Sequence, residues 1–385
     1  MSIIDFSSAE KYISNLENKG ERQKLLSLAE SLPYQVINDS PTVKHYTEWS
    51  EYDKLNLTIF PSKEEIKKKY ELEGYRTIYI QDDFISGGLV SEEPTNSLIK
   101  PEEHKLVALT LALSRKIKID IEKSDKVLIY HRVAERNYFS PANIEINVKD
   151  GAITDIVYLA ENEIPNSLQT AITSLRVSRD SQANFTLIST SSYIYNYVKV
   201  YCEGELNSTI FATKSKMAHI EYTTILDKES KSVFSAKSIG TNDDKIDIRI
   251  IVQHQGQKSV SDGNLKGIAT DNAFVVIRGD ASINETALDS STSIIGRAFI
   301  LGKDAKAIVA PMLEVKTGRV MMAKHSASVS RVPEDLIFYL ENRGLSRKEA
   351  ESFLIRGFIE DEKDPEILKK IIEEVLTSSK IIVSV

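Results

Sequence analysis

Few side chains in this sequence could do chemistry, and their types restrict it. There is one cysteine, Cys202. A single thiol forbids an intramolecular disulfide framework and a CxxC zinc site, and no thiolate cluster can be held by this chain alone. Cys202 ends the β-like run Val200-Tyr201-Cys202, where a lone cysteine reads as a small buried hydrophobe and a sulfur-relay role is the sharper alternative. Among six histidines, His325 in Lys324-His325-Ser326 could ligate iron through a neutral imidazole; an interface histidine bonded to backbone is the plainer reading. Glu314, in Pro311-Met312-Leu313-Glu314, could assist iron binding, and a turn or salt-bridge role competes with that. Met321-Met322 offers two thioethers, which interface packing also explains. Asp243, Asp244 and Asp247 form a candidate carboxylate cluster, though a turn between strands accounts for them more simply. His219 and His254 have no companion ligands and read as structural.

Several chemistries are absent by pattern. There is no GxxxxGK[ST] and no GxGxxG, so any ATP used must be hydrolysed by a partner. No GxSxG elbow or HExxH occurs, and nothing supports nucleophilic catalysis. The chain has 385 residues and a formal charge of −7, which argues against a nucleic-acid binder relying on bulk positive charge. No run approaches the ~20 apolar residues of a membrane span. Met1-Ser2-Ile3-Ile4-Asp5-Phe6 lacks a cationic leader pattern, so the cytoplasm is the expected compartment.

The elements that must position these residues fall into three zones. Residues 1–115 read as a helical or mixed domain: a capping box at Ser7 and Glu10, a helical pattern over Leu25–Ala29 ending at Pro33, an exposed charged helix over 63–72, and a helix opened by Pro101. Residues 116–324 are a long succession of short β-rich runs with Asp, Asn, Ser and Gly turns, with 164–176 as a loop or helical turn. A sandwich, a barrel or a stacked solenoid would all suit it, and no strict repeat decides among them. Residues 325–385 read as three helices: one opened by Pro333 and stopped at Gly344, one with a capping box at Ser346 and Glu349 ending at Gly357, and one capped at Asp364-Pro365. Their apolar stripes exceed what three short helices can bury on one another, so they must dock on the β-zone or on a partner.

Four segments together resemble one family: Pro311-Met312-Leu313-Glu314-Val315, then Lys324-His325-Ser326-Ala327-Ser328-Val329, then Phe338-Tyr339-Leu340-Glu341-Asn342-Arg343-Gly344, then Glu349-Ala350 leading to Arg356-Gly357-Phe358. Their order and spacing resemble the SufB/SufD family, scaffold subunits of the SUF iron–sulfur cluster assembly machinery. Ala236-Lys237-Ser238-Ile239 is similar to a family strand, and Pro41-Thr42 with Trp49 is a fainter likeness. The resemblance implies a mainly β protein: a right-handed parallel β-helix core flanked by N-terminal and C-terminal helical domains. It implies pairing through the C-terminal end of the β-helix, with a SufB-like paralogue or as a homodimer. It also implies docking of a SufC-like ABC ATPase on the C-terminal helices, at Phe338, Tyr339, Arg343, Gly344, Arg356 and Phe358.

One departure from the family pattern stands out. In the cluster-building branch a cysteine precedes the histidine by two positions; here that position is Ala323. Ser326 replaces the following glycine and Asn342 the serine of the F-Y-L-x-S-R-G motif. The expectation is therefore a SufD-like, non-catalytic scaffold that binds no cofactor stably by itself. Iron or an iron–sulfur cluster shared across an interface remains a candidate, with His325 and Glu314 as ligands. A homodimeric cluster scaffold and a β-helix carbohydrate-active enzyme are the alternatives.

Overall fold

A computed structural model describes residues 2–40, 42–62, 66 and 70–382. Parallel strands, most of them ten residues long, alternate between two sheets, so that each turn of the chain adds one strand to each. Among the described residues the sheets contain 10 and 9 strands. This is a parallel β-helix, mainly β with helices at both termini, and its strands begin at Arg76 and end at Ser330. Apolar residues at every second position point into the lumen; Ile248, Ile250 and Val252 of one strand lie there beside Val275, Ile277 and Ala281 of the next strand in the same sheet.

The unequal turns explain why no repeat is visible in the sequence. One turn runs from Gln182 to Glu205, another from Phe274 to Lys306. Residues 164–176 belong largely to a strand, Leu168–Val177, and not to a loop or helical turn. Its buried Gln169, Thr170, Thr173 and Ser174 hide the apolar signal that marks the other strands. The charged helix expected over 63–72 falls mostly outside the described residues, as does Pro41.

Both outer faces are covered. The sheet ending in strand Lys306–Val315 (the N-sheet) carries the N-terminal helices α1 (Phe6–Ile13), α2 (Lys19–Ser31), α3 (Trp49–Asp53) and α4 (Lys105–Leu113) on Phe139, Leu168, Ile172 and Tyr195. Asp5, and not Ser7, caps α1. A strap between α2 and α3 then runs along this sheet, held by a buried polar network. Arg278 joins Asp39 of the strap to Asp247. Thr47 donates to Asp247 at 2.8 Å and lies 2.8 Å from His219 Nδ1. Burial alone would raise the Asp247 carboxyl; Arg278, His219 and Thr47 outweigh it and hold it at about 2.

The sheet ending in strand Met322–Ser330 (the C-sheet) carries α5 (Glu334–Glu341), α6 (Arg347–Ile359) and α7 (Glu366–Ser378) on Leu128, Leu159, Ile188, Ile239 and Ile268. The expected helix stops are partly met. Gly344 takes φ +96° just after α5, while Gly357 stays inside α6 because Ile359 continues it into the core. The elbow between α6 and α7 is pinned by charge. Lys237, fully buried, pairs with Asp364 and, at 2.8 Å, with Asp361; Lys266 also pairs with Asp361.

Two outcomes follow from these networks. Lys237→Met strands Asp364 beneath the elbow and should cost about 3 kcal/mol, read as faster amide exchange in α6 and α7; unchanged exchange there would show the elbow is held by apolar contact alone. The second concerns pH. Burial holds His104 and His131 near 3 and His254 near 4, so below about 6.5 the unfolded chain takes up protons that the native state does not. The stability supplied by Asp247 is present above the ordinary carboxylate range and lost as pH falls toward 2. Asp244, raised by burial to about 6, works the other way and adds some stability as pH falls through 6. The three histidines outnumber it, so the urea midpoint should fall between pH 7 and pH 4.

Candidate functional site

The two ends of the β-helix are built differently. At the first end, strand Arg76–Gln81 of the C-sheet is covered by the antiparallel Phe84–Ser86, and Lys116–Ile121 of the N-sheet by the antiparallel Leu89–Ser91. Three-residue strands of this kind close a sheet edge without extending it. At the other end, Lys306–Val315 and Met322–Ser330 are the outermost strands of their sheets, each with a partner on one side only. Every residue of Met322–Ser330 except Ala323 is exposed. Two adjacent edges with unpaired backbone groups are a ready template for another chain.

His325 lies on this open rung. Its register partner is Ile294, a lumen residue, so the imidazole belongs to the inward-facing column and caps the lumen. Nδ1 lies 3.0 Å from the Pro311 carbonyl on the neighbouring terminal strand. A carbonyl only accepts, so Nδ1 carries the proton and Nε2 keeps the lone pair of the neutral ring. Such a second contact sets the tautomer of a metal-binding histidine. Residues two apart on a strand share a face, so a cysteine at position 323 would stand beside His325; Ala323 offers no ligand there.

The remaining candidates are dispersed. Glu314 pairs in register with Ser282 on the outward face and sits 3.2 Å from Lys316, so it is on the opposite side of the rung from the His325 column. Cys202 is four strands inside the end of the N-sheet, about 19 Å from it at normal strand spacing. Its thiol is fully buried, lies 3.4 Å from the Gly204 carbonyl, and is pushed up to about 12 by burial. Met321 and Met322 are exposed at the open end. Asp247 is a strand residue bound to Arg278, whereas Asp243 and Asp244 lie in the preceding turn, where Asn272 and Thr241 donate to them. The carboxylate cluster is thus divided. No group of three His, Cys, Asp or Glu side chains has metal-site spacing among the described residues.

On the helical unit, Phe338 and Tyr339 of α5 are exposed, as are Leu336 and Phe353, and the Arg343 guanidinium lies 4.4 Å from the Tyr339 ring centroid. Gly344 serves the chain reversal after α5. Arg356 and Phe358 turn elsewhere: Arg356 pairs with Glu373 at 2.6 Å, and Phe358 packs against Phe299 of the C-sheet, the rings tilted by 33° with centroids 4.3 Å apart. Sequence reasoning placed Lys237 in a motif strand and Asp364 in a helix cap but missed the ion pairs they form with each other and with Asp361, and it missed Asp39 of the strap and its partner Arg278. The one signal was a lysine inside an otherwise apolar and small-residue strand, Ala236-Lys237-Ser238-Ile239.

Comparison with known proteins points to one family. The model of the SufBD core domain, SUF system FeS cluster assembly, matches residues 107–358. An iron–sulfur cluster assembly SufBD family protein of Mycobacterium tuberculosis is 24% identical over 201 residues, 51% of this chain and 24% of the relative. A second from the same organism is 28% identical over 120 residues, 29% of this chain and 30% of the relative. One from Staphylococcus saprophyticus is 27% identical over 202 residues, covering 51% and 43%. The matches thus span less than half the length of each of these relatives.

The burial of Cys202 makes a direct prediction. A maleimide at pH 8 should leave the native protein unmodified over the time in which it labels the urea-unfolded chain completely, because thiolate and access are both lacking. Rapid native labelling would restore the sulfur-relay reading.

Proposed function

The chain belongs to the SufBD family of the SUF iron–sulfur cluster assembly system, and from that membership we propose that it is a non-catalytic, SufD-like scaffold subunit. In this reading its open rung pairs with the matching end of a SufB-like β-helix. The pairing supplies the backbone partners that Lys306–Val315 and Met322–Ser330 lack. The observation that carries the reading is the contrast between the two ends, one closed by short antiparallel strands and the other left open at His325.

The chemistry at the junction is limited by what this chain brings. His325 can present Nε2 to an iron or a nascent cluster held mainly by the partner. Ala323 removes the neighbouring thiolate, so the chain contributes at most one ligand near that point. The cluster is cargo here, and its remaining ligands must come from across the interface. The exposed face of α5, with Phe338 and Tyr339, suits a SufC-like ATPase: aromatic side chains at water supply most of the energy of such docking sites. Nucleotide-driven motion of the ATPase would then bias two arrangements of the paired rungs.

Mixing the full chain with a SufB-like and a SufC-like protein and sizing the mixture tests the reading. A complex with both is expected, and none with either would sink it. Phe338→Ala/Tyr339→Ala should weaken ATPase binding by roughly tenfold or more and leave β-helix pairing unchanged. His325→Ala should leave both interactions intact while lowering iron retained by the complex after anaerobic reconstitution. A stable visible-absorbing cluster on the isolated chain would contradict the SufD-like assignment.

A further inference from the structure

The strap between α2 and α3 covers the N-sheet without an apolar footing. Among its described residues, 35–40 and 42–48, only Thr47 is buried and none belongs to a hydrophobic core. Its shape comes from Asp39. Oδ1 accepts from Gln35 at 2.8 Å and Oδ2 from the Tyr46 N–H at 2.7 Å. The Asp39 N–H donates to Lys44 O at 3.0 Å and the Ser40 N–H to Val43 O at 3.1 Å. The same carboxylate is the strap's deepest attachment, paired with Arg278 where the two side chains are only 3% and 4% exposed. Thr47 adds its contacts to Asp247 and His219, and the Arg278 guanidinium lies 5.4 Å from the Tyr46 ring centroid. The remaining tie to the sheet, Glu48 with Lys245, is exposed.

One residue therefore both shapes the loop and fastens it, so the two are lost together. Lifting the strap returns Asp39 to water, which solvates a carboxylate well. Arg278 keeps the Asp247 carboxylate, which it holds at 2.7 and 3.1 Å, so no buried charge is left alone. No apolar core is opened. Segments with few buried apolar contacts open at free energies well below that of global unfolding. The strap also forms one wall of a cleft of about 910 Å³, whose other lining residues include Trp49, Glu221 and Arg249. Trp49 is the chain's one tryptophan, and its Nε1 donates to Gln35 of the strap at 2.9 Å.

We propose that Gln35–Ser40 and Val43–Glu48 act as a latch: they lift from the N-sheet together while the β-helix stays folded, the Arg278–Asp39 pair is the bolt, and the state of the bolt sets the access of small solutes to the cleft. A ligand that needs the closed wall shifts the latch shut, and one that enters only past it shifts the latch open. The latch involves neither the open rung nor α5, so it is independent of the proposed scaffold role.

Native-state hydrogen exchange on the full chain, read together with acrylamide quenching of Trp49, tests it. Corrected for intrinsic rates, the Asp39, Val43 and Tyr46 amides should exchange about a hundredfold or more faster than those of strand Lys245–His254, at a rate that low urea leaves unchanged. Exchange at the rate of that strand overturns the latch. Asp39→Asn should speed the Val43 and Tyr46 amides about tenfold or more and leave the strand within about twofold. Equal acceleration of both would make Asp39 a global stabiliser and overturns the bolt. Thr47→Val keeps every charge pair and guards against a failure of D39N to fold: it should speed the same strap amides alone, and an effect spread over the strand overturns the unit. Lys245→Ala removes only the exposed pair and should change strap exchange less than about twofold; an effect as large as that of D39N places the fastening at the surface and overturns the bolt. The quenching constant of Trp49 should rise about twofold or more in D39N with the far-UV spectrum unchanged. Faster strap exchange with unchanged quenching overturns control of the cleft.

Discussion

A parallel ladder satisfies the backbone of each strand with the strands above and below it, and the unsatisfied groups therefore collect at its two ends. That constraint organises this molecule. The lumen fills itself with alternating aliphatic side chains, and each outer face is covered by helices from one terminus. One end is closed by Phe84–Ser86 and Leu89–Ser91. What is left is a single rung with its hydrogen-bonding edge, its lumen mouth and His325 all facing outward. That rung and the exposed face of α5 are surfaces the fold leaves uncovered among the described residues, and the proposed function rests on them.

Much of this was legible in the sequence, for identifiable reasons. The C-terminal helices announce themselves through the capping box at Ser346 and Glu349 and the stop at Gly344, local signals that tertiary context leaves intact. The β-zone was visible as alternation, but the architecture was not, because turns as different as Gln182 to Glu205 and Phe274 to Lys306 erase any period. Motif resemblance supplied the β-helix. Residues 168–177 were lost because polar side chains are buried on both faces of that strand: Gln169 and Thr173 on the lumen face, and Thr170 under α4, where Thr110 donates to it at 2.9 Å. The candidate site was legible only in part. His325 could be named, and the separation of Glu314 from it could be seen only once the register placed them on opposite faces of the rung.

The two outer faces differ in how they are fastened, and no local pattern encodes this. On the N-sheet, Arg249 and Arg278 are register neighbours, a like-charge pair that would be unfavourable alone. Glu221 and Asp280 approach Arg249, while Asp247 and Asp39 hold Arg278. Asp39 comes from the strap, so the polar column on the sheet is complete only when the strap is in place. Removing one member of such a buried set costs more than the set contributes, because it leaves a charge without its partner. That over-determination fixes the strap on the sheet, although Val36 and Ile37 within it are exposed.

On the C-sheet the polar fastening is confined to the elbow. Lys237 and Lys266 lie on strands Lys231–Gly240 and Val260–Ala269, three and two strands from the open edge. Toward that edge the contacts become apolar: Phe358 on Phe299, and a cleft of about 500 Å³ where Leu336 and Phe353 face Ser328 and Ser330 of the last strand. Ion pairs fix a geometry, whereas apolar contacts are non-directional and permit small sliding motions. The helical unit is therefore fastened by charge away from the open rung and by apolar contact beside it. A partner pulling on the exposed face of α5 would turn the unit about the Lys237 elbow, and the displacement would be largest next to Met322–Ser330. The same distribution of charge and apolar surface that keeps the unit attached places its compliance at the strand that carries His325.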